Sequence, residues 1–276
     1  LITALVLLPV VLGALFWFPA WGWGLFAIVL MGAAASEWGR LSTLTANGAA
    51  YFLAGMLIAM SLLLMAYLLP DGRPVFDRSI VPIGAYIALM FWAIAVPLWL
   101  RSQWRAPVQA NALAGIAVLL PMFISLLVLR ERSPWLLLTF AVIVWVADVA
   151  AYFAGKAFGK RKLAPAISPG KTIEGVIGGV VAVVAYFFVW RAVAQHWPSP
   201  WSAPWIAAGL SVLLIFVTLG LASVLGDLYE SWIKRGAGMK DSGTLLPGHG
   251  GVMDRIDALT SALPLAMAYL VFSGAK

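Results

Sequence analysis

The sequence predicts an all-α, polytopic integral membrane protein with about nine transmembrane helices. Of its 276 residues, 63% are hydrophobic and only 11% are charged, and the mean hydropathy is +0.98. A soluble domain carries about 25% charged residues, so too little polar surface is available here for a water-facing fold. The apolar stretches are about 17–25 residues long, which is typical of membrane-spanning helices rather than the short alternating strands of a barrel.

Nine apolar stretches are long enough to cross a membrane, and the first two are joined by a short turn that predicts a hairpin. The first stretch lacks a basic n-region and a small-residue cleavage site, so it is interpreted as a helix rather than a signal peptide. The expected spans are 2–18, 21–36, 49–69, 80–100, 110–129, 134–155, 174–195, 204–223 and 258–274.

The basic residues are unevenly divided between the two sides that these spans define. Twelve of the eighteen Lys and Arg residues fall in the second, fourth, sixth and eighth loops, which predicts that these loops and the amino terminus face the cytoplasm, most simply of a bacterial inner membrane. They are Arg40, Arg101, Arg105, Lys156, Lys160, Arg161, Lys162, Lys171, Lys234, Arg235, Lys240 and Arg255. The net charge of +7 is thereby attributed to orientation and to anionic lipid headgroups, and no nucleic acid partner is expected. The absence of cysteine excludes disulfides, thiolate metal sites and cysteine nucleophiles.

The segment from Ser231 to Asp257, SWIKRGAGMKDSGTLLPGHGGVMDRID, concentrates charge beside two apolar segments. Charge next to hydrocarbon is costly unless a charged partner binds there. Phosphates and the divalent metals that accompany them are the partners of matching chemistry. The chemistry of this protein is therefore expected in this segment.

Carboxylates recur at positions where two helix ends are expected to meet. Asp227 and Glu230 are spaced i, i+3 at the expected carboxyl end of the eighth span, and Asp254 and Asp257 have the same spacing at the start of the ninth. Such a set of hard oxygen ligands suits Mg²⁺. The alternative, acids that complement helix dipoles, explains Asp254 and Asp257 but not an acid at a carboxyl end.

Asp148 is a further acid, placed inside the sixth span, with Tyr152 and Lys156 on the same helical face at i+4 and i+8. A functional role and a structural ion pair with a neighbouring helix are both open for it.

The segment from Lys156 to Glu174, KAFGKRKLAPAISPGKTIE, is a second cationic constellation. Ser168, Lys171 and Thr172 precede a helix, where backbone N–H groups, a hydroxyl and a lysine can bind phosphate oxygens. It is not a Walker motif, because Pro165 stands where glycine is required and no preceding strand is expected. His249, between glycines, is either a phosphate donor, a proton shuttle or a structural loop histidine.

These motifs together resemble one enzyme family, and the resemblance covers residues 148–257. The pattern reads Ser231-x-Ile233-Lys234-Arg235, Lys240-Asp241-x-Gly243 and Leu246-Pro247-x-His249-Gly250-Gly251-Val252-x-Asp254-Arg255-Ile256-Asp257. Upstream it reads Asp148-x-x-Ala151-Tyr152-x-x-Gly155-Lys156-x-x-Gly159 and Ser168-Pro169-x-Lys171-Thr172-x-Glu174-Gly175. This is similar to the phosphatidate cytidylyltransferase (CDP-diacylglycerol synthase) family. Gly170 and Ile173 stand where many members have lysine and tryptophan.

The resemblance implies transfer of CMP from CTP to phosphatidic acid in the bilayer, giving CDP-diacylglycerol and pyrophosphate. It also implies a homodimer whose active site opens to the cytoplasm, with Mg²⁺ and a second ion, potassium. The metal ligands implied are Asp227 and Asp254, with Asp257 and Asp148 as further candidates. The catalytic residues implied are Asp227, Asp254, Lys240, Asp241 and Arg255, and the phosphate-binding residues are Ser168, Lys171, Thr172, Ser231, Lys234, Arg235 and His249.

Two other functions are weighed against this one. A CTP-dependent polyprenol or phytol kinase shares related motifs but transfers the γ-phosphate. An ion-coupled transporter could use Asp148 and Asp227, but paired broken helices in both halves are expected of it, and the charges here gather in the carboxyl-terminal half. We therefore expect residues 1–130 to serve as scaffold, dimer contact or lipid access. Residues 131–276 are expected to be the catalytic region, with cytoplasmic loops 156–173 and 224–257.

Overall fold

A computed structural model of the chain describes residues 2–197, 202, 205, 209–245, 248 and 250–273, with side chains from residue 7 onward. These residues include nine long helices and one short hairpin. The helices are α1 (Ile2–Trp17), α2 (Ala20–Leu41), α3 (Ala46–Leu68), α4 (Arg73–Ser102), α5 (Val108–Arg132), α6 (Pro134–Phe158), α7 (Ile173–His196), α8 (Leu210–Gly236) and α9 (Met253–Ser273). By length and composition, α2 to α9 can each cross a membrane, and α1 is a shorter apolar helix. The expectation of a polytopic, helical membrane protein is confirmed.

The fourth span starts earlier than the sequence predicts, at Arg73 rather than residue 80. Two π-helical stretches interrupt it, Phe76–Ile80 and Phe91–Ala95, and each is followed closely by a proline. Proline lacks the N–H that an α-helical turn would use, so the wider turn accommodates the missing hydrogen bond.

The eighth span also differs from the expectation, because α8 continues to Gly236 instead of ending near residue 223. Asp227 therefore lies nine residues before the end of its helix, and its predicted position at a carboxyl terminus was wrong. The connection between α8 and α9 is correspondingly shorter than 224–257 and comprises residues 237–252. We call these residues the α8–α9 loop.

A two-stranded antiparallel hairpin, β1 (Lys162–Ala164) and β2 (Ser168–Thr172), lies between α6 and α7. No strand was expected there, so that expectation was wrong. β2 leads directly into α7, and the Thr172 hydroxyl accepts a hydrogen bond from the Gly175 N–H (3.1 Å) as the helix cap. The strand thus carries Lys171 to the start of a membrane helix.

Helices α5 and α9 are the most buried spans, and α3 and α7 the most exposed. α9 packs against α8, α4 and α5, so it lies at the centre of the bundle. α6 and α7 pack closely because glycines face the neighbouring backbone: a Cβ at Gly175 would lie 2.8 Å from the Ala151 carbonyl oxygen. Small residues at such contacts allow close approach of membrane helices.

Three cations from different connections lie against the same part of the bundle. Arg40, at the end of α2, lies 3.4 Å from the Ser242 carbonyl oxygen. Arg105, between α4 and α5, stacks over the Trp232 ring at 4.2 Å from its centroid. Lys171 of β2 also contacts α8. These basic connections therefore meet at one end of the bundle, which we call the basic end.

Candidate active site

The polar residues of α8 form one stripe along the helix at the basic end. Asp227, Glu230, Ser231 and Lys234 occur at i, i+3, i+4 and i+7, which places them on one face. The helix can continue past the first charge because the charged face is paired within the protein. Pairing of these charges inside the bundle therefore allows α8 to extend beyond residue 223, where the polarity of the sequence predicts that the span ends.

The opposite face of α8 is held by aromatic side chains. Tyr229 is fully buried, and its ring contacts Trp38, Phe91, Trp92 and Trp99 at centroid distances of 5.4–6.3 Å. No hydrogen-bond partner for its hydroxyl occurs among the described residues. This packing fixes the rotation of α8 and, with it, the direction of the polar stripe.

The first ion pair of the site joins Lys171 of β2 to Asp227 of α8. The Lys171 Nζ lies 2.5 Å from Asp227 Oδ2, and the Ser231 hydroxyl donates to Asp227 Oδ1 (3.3 Å). Asp148, exposed on α6, interacts electrostatically with both Asp227 and Lys171. The structure therefore brings together three of the residues that the sequence singled out on separate segments.

Asp257 of α9 reaches the same group because α8 and α9 approach closely. A Cβ at Gly226 would lie 2.6 Å from the Asp257 carbonyl oxygen, so only glycine fits this contact. Asp257 interacts electrostatically with Asp227, Lys171 and Lys234. It therefore interacts with members of both ion-pair groups.

The second ion-pair group has Lys234 between two carboxylates. Its ammonium pairs with Glu230, one turn earlier on α8, and with Asp254 Oδ1 of α9 at 2.7 Å. The side chains are 12%, 2% and 9% exposed, in the order Lys234, Glu230, Asp254. Buried charges need such pairing, since an isolated one would be costly.

The second oxygen of Asp254 is held by the α8–α9 loop. Asp254 Oδ2 accepts hydrogen bonds from the Ser242 N–H (2.9 Å) and the Gly251 N–H (2.8 Å), and it lies 3.0 Å from the Ser242 hydroxyl oxygen. Gly250, at φ +78°, permits this approach, because a Cβ there would lie 2.6 Å from Asp254 Oδ2. The carboxylate is therefore fixed in orientation by backbone groups.

Glu37 enters the site from α2 and was not predicted from the sequence. This side chain is 0% exposed, and its carboxylate accepts hydrogen bonds from the backbone N–H groups of Val252 and Met253 at 3.0 and 2.8 Å. An acid within an otherwise apolar helix is a functional signal. The sequence does not reveal this signal, because the second span is predicted to end at residue 36.

The remaining candidates lie around these ion pairs. The loop residues Lys240 and Asp241 and the helix residues Arg235 and Arg255 are exposed at the basic end. Arg235 Nη1 donates to the Met239 carbonyl oxygen (3.3 Å). Ser168 starts β2, opposite Ala164. His249, expected to contact phosphate, lies outside the described residues.

Glu174, at the start of α7, shapes the loop that precedes the hairpin. Its carboxylate accepts hydrogen bonds from the backbone N–H groups of Lys160 and Arg161, each at 3.1 Å, and from Arg161 Nε at 3.1 Å. Acidic residues are favourable in the first turn of a helix. This residue therefore has a structural role that its position in the cationic segment did not indicate.

The predicted metal ligands do not form one compact ligand shell within the part of the chain that the structure describes, where no three acidic or histidine side chains surround a single point. Instead, lysines lie between them: Lys171 beside Asp227, and Lys234 beside Asp254. The donor set nevertheless fits a hard cation, since it consists of carboxylates that outnumber the lysines paired with them.

The fold and the site define a membrane-embedded protein with a charged, carboxylate-rich centre at one end of its bundle. The family model described as "Cytidylyltransferase family" matches residues 1–273. The chain therefore belongs to the cytidylyltransferase family.

Named relatives cover nearly the whole chain. It is 38% identical to the phosphatidate cytidylyltransferase of Pseudomonas aeruginosa, over 99% of this chain and 97% of that protein. It is 35% identical to the phosphatidate cytidylyltransferase of Haemophilus influenzae, over 98% and 97%. The Bacillus subtilis phosphatidate cytidylyltransferase is 45% identical over a shorter stretch, 45% of this chain and 42% of that protein.

Proposed function

We propose that the protein transfers CMP from CTP to phosphatidic acid, forming CDP-diacylglycerol and pyrophosphate for phospholipid synthesis. The main support is the similarity to phosphatidate cytidylyltransferases over nearly the full length. A phosphate oxygen of the lipid attacks the α-phosphorus of CTP, and the bond from that phosphorus to the bridging oxygen breaks. The electron pair leaves with pyrophosphate. An already ionised phosphate needs no general base.

The charged groups at the basic end suit this reaction, because both substrates and the leaving group are anions. Lys171 and the exposed Arg235, Lys240 and Arg255 would hold phosphates, with Ser168, Thr172, Ser231, Lys234, Asp241 and His249 as the further candidates named from the sequence. Phosphoryl-type transfer depends mainly on such positioning and charge neutralisation. The acyl chains of the lipid would remain in the bilayer, which accounts for a nucleotide enzyme built of membrane helices.

Mg²⁺, with K⁺ as a second ion, is part of the proposal. Asp227 and Asp254 would hold the metals, with Asp257 and Asp148 as further ligands. When bound, the metal supplies electrostatic stabilisation of the phosphates and the leaving group. The chain's own residues hold those carboxylates in place: Lys171 at Asp227, and Ser242 and Gly251 at Asp254.

We also propose that the basic end faces the cytoplasm, in a bacterial inner membrane, and that two chains form a homodimer. The excess of Lys and Arg in the connections at this end supports the orientation. CTP is a cytoplasmic nucleotide, which is consistent with it. The dimer is proposed from the family resemblance, and cross-linking of the protein in native membranes would test it.

Two radiolabels separate the proposed reaction from its alternatives. Purified protein in lipid nanodiscs, given phosphatidic acid and Mg²⁺, should transfer label to lipid from α-³²P-CTP and not from γ-³²P-CTP. With polyprenol or phytol as acceptor, lipid labelling from the γ-position alone would identify a kinase. If no lipid is labelled but the protein carries ions across liposomes, it is a transporter.

A further inference from the structure

We infer that Glu37 is a positioning residue for cytidylyl transfer: it holds the α8–α9 loop and the start of α9 so that Asp254 is presented to the reacting groups. This inference rests on the proposed function, and it adds a residue from the amino-terminal half to the site. Glu37 belongs to none of the motifs on which the family resemblance depends.

The Glu37 carboxylate is surrounded by donors from a segment more than 200 residues away. Its Oε1 accepts from the Val252 N–H (3.0 Å), and its Oε2 accepts from the Met253 N–H (2.8 Å) and the Ser242 hydroxyl (2.9 Å). Met253 is the first residue of α9. The N–H groups at the start of a helix have no partner within the helix and attract negative charge. Glu37 therefore caps α9 from another helix.

The contact continues from Glu37 to Asp254. The N–H groups of Gly251, Val252 and Met253 follow one another along the chain, and the first binds Asp254 while the next two bind Glu37. The Ser242 hydroxyl lies within hydrogen-bond distance of both carboxylates, 2.9 Å from Glu37 and 3.0 Å from Asp254. A shift of Glu37 would therefore move the donors that orient Asp254.

The loop is shaped to admit this carboxylate. A Cβ at Gly243 would lie 2.6 Å from Glu37 Oε1, and a Cβ at Gly251 would collide with Glu37 Oε2 and the Ser242 hydroxyl. Glu37 itself is fully buried, so its charge depends on these partners rather than on water. The absence of a side chain at Gly243 and Gly251 of the family motif thus leaves room for the Glu37 carboxylate from α2.

The first test is Glu37→Gln, which keeps the size of the side chain but turns one accepting oxygen into an amide that faces a donor. We expect kcat to fall about 10–100-fold, as for other residues that orient metal-binding groups. The KM for phosphatidic acid should change less than about twofold, because the substrate contacts are intact. The matched control is Glu131→Gln, at a carboxylate that pairs with Arg73 on the opposite side of the bundle, and its kcat should equal that of the wild type. Wild-type kcat in Glu37→Gln would overturn the inference.

A second readout does not require activity and uses the absence of cysteine from the chain. The thiol of Met253→Cys replaces a side chain that is 1% exposed, so it should react slowly with a maleimide. Adding Glu37→Gln should accelerate the labelling at least about tenfold, because the start of α9 is no longer held by the Glu37 carboxylate. Leu245→Cys, at a position 55% exposed, should label equally with and without the Glu37→Gln substitution. Equal labelling at position 253 with and without Glu37→Gln would show that Glu37 does not hold the start of α9. This outcome can be read even if the wild type forms no CDP-diacylglycerol, so a failure of the inference is distinguishable from a failure of the proposed function.

Discussion

The ammonium group of Lys171 lies 2.5 Å from the carboxylate of Asp227, joining the hairpin before α7 to the polar stripe of α8. Lys171→Gln should lower turnover by at least about 100-fold, since it removes a cation from a site that must neutralise phosphate charge. Formation of CDP-diacylglycerol from α-labelled CTP measures this. Lys162→Gln, an exposed lysine of β1, should keep wild-type turnover. Equal activity of the two variants would contradict a role for Lys171.

The two acids assigned to the metals should be individually essential. Asp227→Asn and Asp254→Asn should each lower turnover by at least about 100-fold while the protein remains folded. For Asp254 the amide would also direct N–H groups at the loop donors of Ser242 and Gly251. Turnover and monodispersity on size exclusion check both claims. Asp71→Asn, an exposed acid between α3 and α4, serves as control, and normal activity in either site variant would refute its metal role.

Removal of divalent metal should stop the reaction without unfolding the protein. We expect EDTA to abolish lipid labelling and excess Mg²⁺ to restore it, because carboxylates prefer this hard cation and share it with phosphates. Unchanged thermal unfolding in EDTA would show that the loss is chemical rather than structural. Turnover that persists in excess EDTA would contradict the metal proposal.

The contact of α8 with α9 at Gly226 should tolerate no side chain. Gly226→Ala places a methyl group 2.6 Å from the Asp257 carbonyl oxygen, so we expect the free energy of unfolding to fall by about 1–3 kcal/mol. Turnover should fall too, since Asp227 and Asp257 would move apart. Reversible unfolding in mixed micelles and product formation measure these effects. Gly55→Ala in α3, where a Cβ meets nothing within 4 Å, should not destabilise the protein.

The aromatic cluster behind α8 predicts opposite outcomes for two substitutions of Tyr229. Tyr229→Phe should leave the free energy of unfolding unchanged or raise it, because it deletes a buried hydroxyl for which the described residues offer no partner. Tyr229→Ala should lower that free energy by about 3–5 kcal/mol through loss of packing. Unfolding in mixed micelles compares them. A large loss of stability in Tyr229→Phe would show that the hydroxyl has a partner after all.

Apolar length allowed the helices to be predicted, because the membrane sets a minimum span that composition alone reveals. It fails where charge lies within a helix: the charge of Asp227 predicts an exit from the membrane, whereas ion pairing allows α8 to continue to Gly236. The site acids could be named from their spacing. Their partners could not, since Glu37 reaches Val252 only through the tertiary fold.

The β-hairpin was missed for a similar reason. Its strands are only three and five residues long, and the second carries proline and glycine, which are poor strand formers. Pairing with each other, rather than intrinsic preference, holds them extended. The hairpin brings Lys171 to the site, so a local structure without a sequence signal determines the position of one of its main cations.

The two lysines of the ion-pair groups face five carboxyl groups, which are Asp148, Asp227, Glu230, Asp254 and Asp257. Where the triphosphate reaches these two groups, the carboxyl groups outnumber the lysines, so a nucleotide already complexed with a divalent cation is favoured there over a bare one. We therefore expect entry to be ordered, with the cation arriving before the nucleotide or together with it. The local excess of carboxyl groups over lysines within the two ion-pair groups would then be a means of selecting which form of its substrate the protein admits.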